Sequence, residues 1–220
     1  MANSALASTS QAQVRPAVSQ VKQVVQERTQ CRADKAACIA IAEAAQALLV
    51  ALVSCAAEEA RRGGAEVRRG GAARILPWHI GQAVQSAEFR SSPFFTKTTA
   101  RAADGTSGST VKEARRAARA ARLDGHVKVN PFRSLVKRTA RAHGNVALTA
   151  PLVVALSAFV LEAVNQVADT AGEAAAKSDA TTTITADHVR TAVTDLLGGD
   201  LQARALAAID AALVAEAVGE

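Results

Sequence analysis

The chain has 220 residues, a net charge of +6 and a sequence pI of about 9.7. Apolar residues make up 49% and aromatics only 3%, with no tyrosine, and roughly a quarter of the chain is alanine, the best helix former. That composition supplies a core but little β-sheet, so it excludes a β-rich enzyme and a disordered chain and points to closely packed helices.

Three cysteines, Cys31, Cys38 and Cys55, are odd in number and match no zinc spacing. Cys38 and Cys55 sit in apolar helical runs and read as small core residues of a reducing compartment. Residues 1–14 read as a tail: Met1 to Gln11 lack a basic n-region followed by an apolar core, which argues against a secretory signal.

Along the chain, Val18, Val21, Val24 and Val25 space as one face of a short helix. Asp34 can cap a second helix, running from Lys35 to about Arg62 with Ile41, Ala45, Leu48, Leu49, Leu52 and Ala56 on its apolar face. Paired glycines at 63–64 and 70–71 break it. Ile75-Leu76-Pro77 opens a short third helix to about Ala87, with proline where the first turn tolerates it. Residues 91–126 read as a linker, because they contain Ser91-Ser92-Pro93, Asp104-Gly105 and Ser107-Gly108. Within it, 111–123 can form a basic helix whose Arg115, Arg116, Arg119 and Arg122 fall at three- and four-residue steps.

The pattern then repeats. Phe132, Leu135 and Val136 form a short helix, and Arg141 to Asn145 form a loop. Thr149 caps a long helix to about Lys177, with Leu152, Leu156, Phe159, Val160, Ala163, Val164, Val167 and Ala171 on one face. Thr185 caps a helix with Val189, Ala192, Val193, Leu196 and Leu197. Gly198-Gly199 stops it, and Asp200 opens a last helix with Leu201, Ala205, Leu206, Ile209 and Leu213. The apolar runs 44–57 and 146–161 are shorter than a membrane span and read as buried helices. A long helix between two short ones cannot bury its apolar face alone, so the two halves are expected to bury each other.

Charge is unevenly placed. Residues 101–145 hold eleven basic against three acidic side chains, and residues 146–220 hold three against ten. The basic stretch reads either as the footprint of a polyanion, nucleic acid before membrane, or as a solvated linker. His79, His126, His143 and His188 are scattered without a nucleophile or metal-ligand partner, so no enzymatic activity, cofactor or metal is expected.

The short–long–short outline is that of the histone fold, and particular residues add to the likeness. Arg74-Ile75-Leu76-Pro77-Trp78-His79-Ile80 resembles the Arg-Ile-x-Pro-x-His-Leu segment opening the third helix of the two-A type core histone. Thr183-Ile184-Thr185-Ala186-Asp187-His188-Val189, continuing through Leu196-Leu197-Gly198-Gly199-Asp200-Leu201, resembles the third helix and extra C-terminal helix of the two-B type. The chain therefore resembles a fused histone doublet of the kind large DNA viruses encode, with one fold over 15–90 and the other over 127–220.

The resemblance implies an all-α structure of two tandem histone folds paired head to tail within one chain. It implies a protein that packages double-stranded DNA without sequence preference and is completed by a tetramer-forming histone pair or a second doublet. Membrane and small-molecule partners are not implied. The implied location is the nucleus or viral factory of an infected cell, and the virion. Arg74 falls at the family's groove-inserting position in the second loop and Arg32 at the first-loop arginine; such arginines enter the minor groove where it faces the protein. Arg15, Arg68, Arg69, Arg115, Arg116, Arg119, Arg122, Arg133, Lys137 and Arg138 complete the DNA-binding candidates. Glu88 and Asp200 are candidates for the family's acidic patch. The sequence departs from the family in Asp179-Ala180-Thr181-Thr182, where basic residues are usual, in a longer loop before Arg74, and in a short, basic 86–97 segment. The competing reading is a histone-fold subunit of a transcription-regulatory complex.

Overall fold

The computed structural model describes residues 18–29, 31–62, 73–95, 132–144, 146–178 and 183–219. The tail at 1–14, the expected basic helix at 111–123, and Arg15, Arg68, Arg69, Arg115, Arg116, Arg119, Arg122 and His126 lie outside them. Among the described residues the protein is nearly all helical. In the first half are α1 (Val18–Thr29), α2 (Lys35–Arg62), α3 (Pro77–Gln85) and α4 (Ala87–Arg90). In the second are α5 (Arg133–Gly144), α6 (Ala150–Ser178), α7 (Ala186–Leu196) and α8 (Gly199–Gly219).

Helix α2 starts where the Asp34 carboxylate accepts the Ala37 N–H at 2.5 Å, which satisfies a backbone donor that the first turn otherwise leaves open. Its expected face is fully buried, but burial extends around most of the helix: Ala37, Ala40, Ala44, Val53 and Ala57 are buried too. The alanines explain this. Small side chains let α1, α3, α5, α6, α7 and α8 all approach α2, and its most extensive packing is with α8. α6 is less enclosed. Its expected face is buried except for half-buried Phe159, and α1, α5 and α7 pack on it along with α2.

Four short strands fix how the halves meet. β1 (Arg32–Ala33), just before α2, pairs in parallel with β4 (Thr183–Ile184), just after α6. β2 (Ala73–Ile75), after α2, pairs in parallel with β3 (Val146–Leu148), just before α6. The register sets Arg32 opposite Thr183 and Arg74 opposite Ala147. The segment before one long helix thus pairs with the segment after the other, so the halves run head to tail. The Asp34 N–H extends the first pairing by donating to the Ile184 carbonyl at 3.2 Å.

Three expectations change. The third helix does not run unbroken to Ala87: it ends at Gln85, Ser86 adopts an extended conformation, and α4 follows. The linker does not begin at Ser91, because Ser92, Phe94 and Phe95 are buried. Phe94 and Phe95 both meet Phe159 of α6, with ring centroids 5.8 and 6.0 Å apart, and Gly198 N–H donates to Ser92 Oγ at 3.2 Å. The apolar character is also not confined to 44–57 and 146–161: α2, and α6, which holds most of the second run, are long and apolar enough to cross a membrane, though 83% of the most apolar window of α2, and 44% of that of α6, is buried within the protein.

The glycine pair between α7 and α8 has two separate duties. A Cβ on Gly198 would stand 3.0 Å from the Ser91 carbonyl oxygen, so the close approach of residues 91–92 needs a glycine. Gly199 has φ of +57°, a left-handed conformation that glycine adopts without penalty.

Candidate nucleic-acid interface

Helix α5 is built with two faces. Leu135, Val136, Thr139 and Ala140 are buried, while Arg133, Lys137, Arg138 and Arg141 are exposed. Arg133, Lys137 and Arg141 recur every four residues, which aligns them along one stripe of about 12 Å. Lys137 and Arg141 line an open groove with Val146, Ala147 and Leu148 of β3 and Val153 of α6. Ala147 is the register partner of Arg74, which is half-buried in the middle of β2. Cations from α5 and β2 therefore flank the same strand. The sequence places Arg141 in the loop before β3; the structure places it on α5, where the four-residue step from Arg133 and Lys137 is the signal for its position on the stripe.

The opposite edge is plainer. Arg32 is exposed and stands against neutral Thr183, with exposed Asp34 two residues away. Among the sequence-derived candidates, Arg74 pairs in register with Ala147 of β3, Lys137 lines the groove beside that strand, and Arg133 and Arg138 are exposed on α5. Arg32 is held at β1–β4.

Helices α3 and α7 each carry a histidine at their third residue, His79 and His188. Leu76 N–H donates to His79 Nδ1 at 2.9 Å, and Thr185 N–H donates to His188 Nδ1 at 3.2 Å. The same offset in both halves makes each imidazole an acceptor for a backbone donor at the helix start. His79 is 1% exposed, and burial holds its imidazolium below the ordinary histidine range, while Glu59 pulls weakly the other way. The Trp78 ring lies 3.7 Å from the His79 ring, and Trp78 is 49% exposed.

The acidic candidates separate. Glu88 forms an ion pair with Arg204 of α8 at 3.2 Å, and Asp200 is exposed in the first turn of α8. Much of the second half's negative charge is engaged inside the chain. Arg190 bridges Asp187 and Asp210 at 2.6 and 2.7 Å. Arg28 of α1 donates from both Nε and Nη2 to Asp169 of α6, and Lys35 pairs with Glu216. Asp210 and Asp187 raise the pKa of Arg190 further, chiefly through the hydrogen bonds that Arg190 donates to Asp210.

The three thiols are free; Cys38 is buried and Cys55 packs half-buried against the core. Burial raises the pKa of both, which suppresses the reactive thiolate. Among the described residues no group of three or more His, Cys, Asp or Glu side chains is arranged to hold a metal ion. The chain matches no family model, no curated protein and no solved structure.

Proposed function

We propose that the chain is a pair of histone folds joined head to tail, and that it binds and wraps double-stranded DNA without sequence preference. The observation that supports this most is the crossed pairing of the four short strands. It fits a handshake in which α1–α2–α3 and α5–α6–α7 are the two short–long–short units and α8 is an added C-terminal helix. It also sets Arg74, at the groove-inserting position of the resemblance, against the strand whose groove holds Lys137 and Arg141.

In this reading the α5 stripe and Arg32 neutralise phosphates, and Arg74 reaches the minor groove. Contacts of that kind position a duplex but carry little sequence information. The proposed partners are duplex DNA and a tetramer-forming histone pair or second doublet. The proposed setting is the nucleus or viral factory and the virion. No catalytic step, cofactor, membrane or small molecule enters it.

The test is reconstitution. The purified chain is mixed with long DNA, alone and with tetramer-forming histones, and digested with a nuclease. A discrete protected fragment that needs both proteins is the expected result. Arg74→Ala should weaken binding alike on all sequences, and Lys137→Ala should reduce the slope of log affinity against log salt by about 0.9, the loss of one phosphate contact. Salt-sensitive smearing without a discrete fragment would overturn wrapping and favour the second reading, a subunit of a transcription-regulatory complex. That reading draws on Arg32 facing a neutral β4, which leaves that edge poor in charge.

A further inference from the structure

We propose that Trp78 is itself a DNA-contacting residue, packing its indole against the sugar wall of a duplex held at the β2–β3 edge. The inference rests on the DNA-binding reading above and deepens it by adding an apolar contact to a set of cations.

Of the other aromatic rings, Phe89, Phe94, Phe95 and Phe132 are buried and Phe159 is half-buried, whereas Trp78 is 49% exposed. A single exposed apolar side chain needs no explanation by itself; its setting does. Trp78 occupies the first turn of α3, three residues beyond the end of β2 and four beyond Arg74. Across the paired strand β3 lie Lys137 and Arg141. Glu59, the carboxylate that acts on His79, is engaged by Arg62 at 2.8 Å.

The ring is also held. It rests 3.7 Å from the His79 ring at 44°. His79 is buried and fixed by the Leu76 N–H at its Nδ1. An indole backed by an anchored ring gives up little conformational freedom on binding. It offers an apolar face and one N–H donor and no acceptor. A duplex backbone of deoxyribose rings and phosphate acceptors matches that chemistry, and every nucleotide supplies it, so the contact is sequence-tolerant.

Trp78 is also the chain's one tryptophan, and there is no tyrosine, so intrinsic emission reports on this position alone. The experiment titrates the full chain with a mixed-sequence duplex and follows tryptophan emission and electrophoretic mobility in parallel. Quenching or a spectral shift that follows the mobility isotherm is expected. Trp78→Ala should lose about five- to tenfold in affinity, as expected when about 40–55 Å² of apolar surface is no longer covered, while Trp78→Phe, which keeps a flat apolar ring, should recover most of it. A complete mobility shift with unchanged emission, and with Trp78→Ala binding as tightly as the parent, overturns the inference and leaves the DNA-binding reading intact. No mobility shift at low salt overturns both. Should Trp78→Ala fail to fold, the parent's emission titration decides.

Discussion

Gly198 and Gly81 predict opposite responses to the same substitution. A Cβ on Gly198 meets the Ser91 carbonyl oxygen at 3.0 Å and its carbon at 3.6 Å, and both are backbone atoms that cannot rotate away. Gly198→Ala should cost about 1–3 kcal/mol, as overpacking does. Nothing lies within 4 Å of a Cβ on Gly81, inside α3. Gly81→Ala should stabilise by about 0.5–1 kcal/mol by restricting the unfolded chain and favouring helix. Urea midpoints at unchanged slope would check both. His79 adds a pH dependence at the same scale. Its Nδ1 must stay unprotonated to accept the Leu76 N–H, and burial depresses its pKa below the ordinary histidine value of about 6.5. The unfolded chain therefore takes up a proton that the folded one resists. The stability this group contributes is complete above about pH 6.5 and is lost as pH falls through the depressed folded value. Relative to the parent, His79→Gln, which offers another acceptor, should show a shallower loss of urea midpoint between pH 7.5 and 5.

Helices were legible where their determinants are local. Asp34 opens α2 by accepting the Ala37 N–H, because a cap acts within a turn of the residue that carries it. The 91–95 segment was not legible. Ser91-Ser92-Pro93 has the composition of a linker, but Phe94 and Phe95 are drawn into the core by Phe159, more than sixty residues away. Burial there depends on a distant partner that no local pattern announces. The same contacts make the segment a strap from the first half onto α6 and the α7–α8 junction. Phe94 is 0% exposed, with Phe95 edge-on at 4.9 Å and Phe159 at 5.8 Å. Phe94→Ala should cost about 3–5 kcal/mol, as loss of a buried aromatic does. It should lower the urea midpoint without changing helix content below the transition. A midpoint within error of the parent's would show that the strap contributes nothing to stability.

Across the whole molecule, the sequence goes as far as two long helices that need each other to cover their apolar faces. The four strands that set the register are two or three residues long, too short for a period-two pattern to stand out from the helices beside them. The basic groove was equally hidden. Its cations come from α5 and β2, and only pairing of β2 with β3 brings them to one strand. The interleaving has a consequence for folding. α2 has its most extensive packing with α8, from the other half, and α6 packs with α1 as well as with its own neighbours. Neither half, alone in water, can cover the face of its long helix. Polypeptides 1–95 and 132–220, produced separately, should therefore each show little cooperative unfolding. Mixed in equal amounts, they should regain helix and melt in one transition whose midpoint rises with concentration, because association and folding are then a single equilibrium. Two separate, concentration-independent transitions would mean that each half holds its own core, and that the crossed strands only join two domains already formed.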